Sequence, residues 1–269
     1  MYGDLDTAAL QAELVAPRGP WARLDVVDRT GSTNADLLAA AADAPDRTVL
    51  VARHQEAGRG RLSRSWYSAP GTGLAVSVLL RPRVPREMLG WVPLMAGLAV
   101  LDAVRGAGVA EAGVKWPNDV LLGARRRKAA GILAEAVGGP DGPRGVVVGM
   151  GVNVTAAPEG PGIDATSVAA EGGSADRGSL LVALLRSLAA RDAAWRAVGG
   201  DPDASGLRAD YRSRCVTLGS PVRVELPGGG TLRGVAEDVD REGRLLVREP
   251  TGQRHAVAAG DVVHLRSTE

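Results

Sequence analysis

The stretch from Gln55 to Trp66, QEAGRGRLSRSW, sets Arg59, Arg61 and Arg64 among glycines and serines. A guanidinium is a planar, permanently charged fork of donors that matches a carboxylate or a phosphate. Gly58 and Gly60 let backbone N–H groups come close to such an anion. Three roles fit these residues alone: a solvated basic loop, a nucleic-acid contact, or a loop that orders around a charged small molecule. Four further stretches carry polar groups. GSTN (31–34) offers Ser32, Thr33 and Asn34, which can donate and accept; helix capping explains Ser32 or Asn34 equally well. KWPND (115–119) puts Lys115, Asn118 and Asp119 around a turn, KAAGILAE (128–135) opens on Lys128, and GMGVN (149–153) ends on Asn153.

Other catalytic signatures are missing. There is no G-x-x-x-x-G-K-[ST] loop, and GRGRLS and GMGVNV each lack the third glycine of G-x-G-x-x-G. His54, His255 and His264 sit at no metal-ligand spacing, and no G-x-S-x-G elbow occurs. The net charge of +1 gives no overall field for nucleic acid, so a nucleic-acid-binding module is a rival that only the arginine loop supports. Cys215 is the single cysteine, which fits a reducing, cytoplasmic home without disulfides. The N-terminus carries acids and no basic, then apolar, signal pattern. The apolar region from Met88 to Val104 is interrupted by Pro93, Gly97 and Asp102 and reads as a buried helix, not a membrane span.

The elements that position these stretches follow from periodicity. Helices are expected over 5–15, after the GSTN cluster, over 87–106, over 178–197 with Leu181, Leu184, Leu185, Leu188 and Trp195 on one face, and over 205–213. Strands are expected at 22–28, 48–53, 73–82, on both sides of the Pro-Asn-Asp turn, from Lys128 onward, and at 144–154. Phe is absent, so the core must be built mainly from Ala, Val and Leu. After about Leu218 the pattern changes to four or five short strands joined by Gly-rich turns, that of a small β-barrel. The expectation is an α+β protein: a mixed β-sheet flanked by helices over residues 1–217 and a small barrel over 218–269.

GSTN, GRGRLSRSW, KWPND, K-x-x-G-I-L-x-E and GMGVN, in this order and rough spacing, resemble the biotin–protein ligase family. The resemblance runs from about residue 24 to 266, and KWPND followed closely by KAAGILAE is its most specific part. It implies a class II synthetase-like (biotinyl–lipoyl ligase-like) main domain with an SH3-like C-terminal barrel. It also implies an activity: biotin and ATP, with Mg²⁺, give biotinyl-5′-AMP, and biotin then passes to a lysine of the biotin carboxyl carrier domain of an acyl-CoA or pyruvate carboxylase. Only about 20 residues precede the first core strand, too few for the DNA-binding domain of some family members, so no repressor activity is expected. A lipoate or octanoate transferase on a related main domain is the rival enzyme.

By resemblance, Ser32, Thr33, Asn34, Gln55, Gly58, Arg59, Gly60, Arg61, Lys128 and Gly131 form the biotin site. Arg64, Trp66, Lys115, Asn118, Asn153 and Ala165 form the ATP site. Lys128, Arg61 and Asp119 are the catalytic group. Lys128 bridges biotin and phosphate oxygens, while Arg125, Arg126 and Arg127 before it read as a solvated turn. Gly131 would let ligand lie close to the sheet. Trp66 is either an adenine platform or a core anchor. Ser63 and Ser65 depart from the usual loop, where a glycine is common at position 63. The loop, poor in apolar anchors, is expected to order on ligand binding. Asp119 is a candidate Mg²⁺ ligand. As a general base it is poor: an ordinary Asp has a pKa of about 3.9 against about 10.4 for the acceptor lysine. Orienting the incoming ammonium suits it better.

Overall fold

The computed structural model of the chain describes residues 5–62, 64–138, 142, 144–226, 229–258 and 261–264. Helix α1 (Thr7–Leu14) is capped by Asp6, whose Oδ1 accepts from Ala9 N at 3.1 Å. It leads to β1 (Arg23–Thr30), α2 (Thr33–Ala39), β2 (Thr48–Gln55) and β3 (Gly73–Leu80). Helix α3 (Trp91–Gly106) follows, then β4 (Ala112–Lys115), β5 (Asp119–Leu122), β6 (Arg127–Val137) and β7 (Gly145–Asn153). The seven strands form one sheet in the order β1-β2-β3-β7-β6-β5-β4. β1 and β2 are parallel, joined through α2, and every other pair is antiparallel, so the sheet is mixed as expected.

The two faces of this sheet follow from its alternation. On β3 and β7, Val76, Val78, Leu80, Val146, Val148 and Val152 point to one face, and α3 and α4 (Arg177–Ala197) cover it. The intervening residues, Ala75, Ser77, Gly149 and Gly151, are small. They form the opposite face, where α2 covers only one end by packing Leu37 and Ala41 against Leu79 and Val147. The remainder of that face is a shallow floor without large side chains.

The helix expected over 87–106 is divided. Residues 86–90 make a 3₁₀ turn, and the α-helix begins at Trp91. Pro93 explains the start: it has no N–H and is tolerated only in the first helical turn, where no acceptor is required of it. Residues 86–106 hold an 18-residue stretch with a mean hydropathy of 1.5, long and apolar enough to cross a membrane, yet 72% of that stretch is buried inside the protein. α3 is the core helix of the fold.

After α5 (Leu207–Arg214), five strands make a second antiparallel sheet. They are β8 (Pro221–Glu225), β9 (Thr231–Val239), β10 (Leu245–Arg248), β11 (Arg254–Val257) and β12 (Asp261–His264), in the order β11-β10-β9-β8-β12. Among the described residues no ladder joins β11 to β12, so closure into the expected barrel is not seen. Two tryptophans outside this second sheet, Trp91 at the start of α3 and Trp116 in the β4–β5 turn, reach the β9–β10 turn. Trp91 Nε1 donates to Arg241 O at 2.8 Å and Trp116 Nε1 to Gly243 O at 3.0 Å. Gly90 permits this approach, because a Cβ there would stand 2.6 Å from Glu242 O. The second sheet thus packs against KWPND itself.

Candidate active site

The floor of small residues is the base of a pocket. Its walls are the start of α2, the arginine loop and the β4–β5 turn. Ser32 caps α2, its Oγ accepting from Ala35 N at 3.4 Å, so the capping reading holds for it while it also faces the pocket. Thr33 N and Oγ1 both donate to Gln55 Oε1, at 2.8 and 2.9 Å. Asn34 is buried: its Nδ2 donates to Leu133 O at 3.1 Å and to Glu135 Oε2 at 2.8 Å. Ser77 Oγ lies 2.7 Å from Thr33 Oγ1 and 2.6 Å from Asn34 Oδ1. These bonds hold a rigid polar end of the pocket, presenting hydroxyl and amide groups.

The arginine loop is a tight hairpin. Arg59 pairs with Ser65, Gly60 N donates to Arg64 O at 2.7 Å, and Trp66 N donates to Gly58 O at 2.8 Å. Gly58 is required for packing at the hairpin base, since a Cβ would stand 2.4 Å from Trp66 O. Arg59 Nη2 lies 3.2 Å from both oxygens of Glu135, and Arg61 Nη1 donates to Asn118 Oδ1 at 3.0 Å. The loop therefore crosses the pocket and is tied on either side. Ser63, the departure noted in the sequence, lies outside the described residues.

Trp66 lines the pocket, and two glycines set its place. Its indole lies on the cross-strand pair Gly131 and Gly151, where a Cβ would come within 3.0 Å and 2.5 Å of the ring. The two glycines leave room for the indole, and Trp66, Gly131 and Gly151 all line the pocket. Its Nε1 is buried without a partner among the described residues.

Lys128 reaches this face through an irregularity. On β5, Val120 pairs with Ala130 while Leu121 pairs with Lys128, so β6 carries Ala129 as an extra residue. Strict alternation would put Lys128 on the face of Ala130 and Ile132. The bulge turns it to that of Gly131, whose missing Cβ would be 3.6 Å from Lys128 Cε. Lys128 Nζ is 2.6 Å from Asp119 Oδ1 and 5.8 Å from the Trp66 ring centre. The pocket thus holds a cationic end, with Lys128, Arg61, Arg64, Asn118 and Asp119, opposite the polar end at α2.

A model of the biotin/lipoate A/B protein ligase family matches residues 26–153, and a model of the biotin protein ligase C-terminal domain matches residues 217–265. The biotin–[acetyl-CoA-carboxylase] ligase of Mycobacterium tuberculosis is 49% identical, covering 97% of this chain and 96% of its own. The chain belongs to the biotin protein ligase family. The enzyme of the same name from Paracoccus denitrificans is 34% identical, over 87% of this chain and 97% of its own. The structure of the Aquifex aeolicus biotin protein ligase in complex with biotin and ATP superposes with a TM-score of 0.75, at 27% identity, over 92% of this chain and all of that one.

Four residues assigned to this ligase's substrates stand apart from the main pocket. Gly58 is in the loop base. Lys115 pairs with Asp119 across the β4–β5 turn. Ala165 lies beside Lys128, in a short parallel bridge made by Lys128 N to Asp164 O and Thr166 N to Lys128 O. Asn153 is buried at the end of β7, with Nδ2 donating to Thr166 O at 3.1 Å and Oδ1 without a partner among the described residues. The basic run before Lys128 is not all solvated. Arg127 Nη2 meets Glu171 Oε1 at 2.7 Å, and Thr166 Oγ1 donates to the same oxygen at 2.6 Å. The Thr166 hydrogen bond, opposed by burial and helped by Arg127, holds the Glu171 carboxyl below the usual range. This cluster clamps residues 164–171 against the start of β6.

The sequence reading missed Ser77 and Glu135. Ser77 is a fully buried hydroxyl in an apolar strand, and a lone polar residue in GLAVSVLL was its signal. Glu135 closes the KAAGILAE motif, yet its partners Asn34 and Arg59 lie too far away in sequence for spacing to reveal them.

Proposed function

We propose that this pocket is where the ligase joins biotin to ATP. The polar end at Ser32, Thr33, Asn34 and Gln55 would take the ureido ring, which needs both donors and acceptors. The cationic end would take the carboxylate and the α-phosphate. A carboxylate oxygen attacks the α-phosphorus, an acyl–phosphate bond forms, and pyrophosphate leaves. Lys128 and Arg61 lower the barrier by neutralising two anions that otherwise repel. In the second step the amine of an acceptor lysine attacks the acyl carbon, an amide forms and AMP leaves. Asp119 orients the incoming ammonium, and its proton passes to water or to the adenylate phosphate. The observation that carries this reading is the bulge that brings Lys128 to the pocket face, beside the arginine loop.

The nucleotide would extend toward Asn153 and Ala165, where Asn153 Oδ1, without a partner among the described residues, suits the amino group of adenine. Among the described residues no group of three or more His, Cys, Asp or Glu could hold a metal. Mg²⁺ would therefore be carried mainly by the ATP phosphates, with Asp119 as the nearby carboxylate. We take the acceptor to be the biotin carboxyl carrier domain of an acyl-CoA or pyruvate carboxylase and the site of action to be the cytoplasm. Residues 218–269 would form the SH3-like unit that braces KWPND through Trp116. The test is incubation with biotin, ATP, Mg²⁺ and a carrier domain, followed by mass analysis. A single biotin on one lysine supports the reading, and lipoylation in its place would overturn the substrate.

A further inference from the structure

Glu135 stands just beyond the end of the pocket remote from Lys128, behind Asn34 and Arg59, seven residues along β6, or about 23 Å at roughly 3.3 Å per residue. It is therefore too far from the reacting atoms to act on them. Its carboxylate is instead shared by two elements. Asn34 Nδ2, on α2, donates to Oε2 at 2.8 Å, and Arg59 Nη2, in the loop, lies 3.2 Å from Oε1 and Oε2. Asn34 cannot swing away, because its amide also bonds Leu133 O and its Oδ1 lies 2.6 Å from Ser77 Oγ. The carboxylate is thus oriented from the sheet side by a fixed donor, and its other lone pairs face Arg59. A second groove runs along the outer side of the loop, bounded by Gly58, Arg59, Leu62, Leu133 and Glu135. The Arg59–Glu135 pair is the bridge between loop and sheet on that side.

We propose that Glu135 is the latch of the arginine loop, a positioning residue that holds Arg59 across the ring end of the pocket. It rests on the proposed function only in its consequence, the retention of biotinyl-AMP. Two side-chain ties of the loop stand at opposite ends: Arg61 to Asn118 beside the reacting groups, and Arg59 to Glu135 beside the polar end. Opening the second exposes the ring end while leaving the cationic end assembled. Release of the adenylate is then governed by a residue that takes no part in forming it. Because Asn34 belongs to the polar end, whatever settles that end also settles the latch.

Trypsin reads the latch without any ligand, since the loop carries Arg59, Arg61 and Arg64. In Glu135→Gln the carboxamide keeps an acceptor for Asn34 but loses the charge for Arg59. Loop cleavage should accelerate about fivefold, the size of a half-exposed charge pair, with the thermal midpoint unchanged. Glu135→Asp should restore part of the protection. Release of biotinyl-AMP, followed by chase with excess biotin and ATP, should rise by a similar factor in Glu135→Gln and in Arg59→Met. The double variant should go no further than either single one. Unchanged cleavage, cleavage that follows a fall in the thermal midpoint, or additive effects in the double variant would overturn the latch. A wild type that makes no adenylate would count against the proposed function, and the cleavage arm would still decide the latch.

Discussion

Replacing Lys128 with Ala separates what its ammonium does for the fold from what it does for the reaction. In the fold the Nζ pairs with Asp119 Oδ1 at 2.6 Å, with the two side chains 38% and 18% exposed. It also stands 5.8 Å from the Trp66 ring. A partly exposed pair contributes about 1 kcal/mol or less, and a cation–π contact of this kind about 0.5–1 kcal/mol. The stability loss should therefore be about 1–2 kcal/mol. In the reaction the same ammonium faces a carboxylate and a phosphate as charge shifts between them. Removing one such donor costs about 10²–10³ in rate, or about 3–4 kcal/mol. Adenylate formation should thus fall at least a hundredfold, while the urea midpoint moves only slightly. Single-turnover formation of biotinyl-AMP beside equilibrium unfolding measures both. Adenylation within a few-fold of wild type, or a rate loss that merely tracks unfolding, would refute the role given to Lys128.

Three further outcomes follow from the geometry. Gly151→Ala puts a methyl 2.5 Å from Trp66 Cε2 and Nε1 and must lift the indole off its seat, so the biotin KM should rise about tenfold with little change in melting, measurable by pyrophosphate exchange. Trp116→Phe removes the donor to Gly243 O and leaves a buried carbonyl unpaired, which should cost about 1–3 kcal/mol in denaturant unfolding. Burial, aided by Lys115 and Arg126, lowers the His264 pKa to about 4, so the fold holds this imidazole neutral. Its contribution is full above the unfolded pKa of about 6.5 and is lost as pH falls toward 4, because the unfolded chain takes up the proton first. The wild type should lose more stability than His264→Gln between pH 7 and pH 4.5, read by paired urea titrations.

Most of the sheet was legible because its strands are short runs rich in Val, Leu and Ala, as in GLAVSVLL and GVVVGMGVN. The pocket floor of Ala75, Ser77, Gly149 and Gly151 was not legible, because these small residues stand in strands whose two faces are both largely buried. The motifs located the site because each sits at the end of a strand or in a turn. The reach of side chains between elements was not legible. Lys128 faces the pocket through a bulge that no local pattern reveals. Arg127 is anchored by Glu171, 44 residues on. The Trp66 indole rests on two glycines, each from a different strand. The start of α3 could be read from Pro93, which admits only a first-turn position.

On this reading one pocket brings a biotin carboxylate to the α-phosphate of ATP. The most direct measurement is incubation of the purified chain with α-phosphate-labelled ATP, Mg²⁺ and either biotin or lipoate, followed by separation of labelled acyl-adenylate. Labelled adenylate is expected with biotin, none with lipoate, and almost none with biotin in Lys128→Ala. Adenylate from lipoate alone, or none from either with folded protein, would contradict this reading.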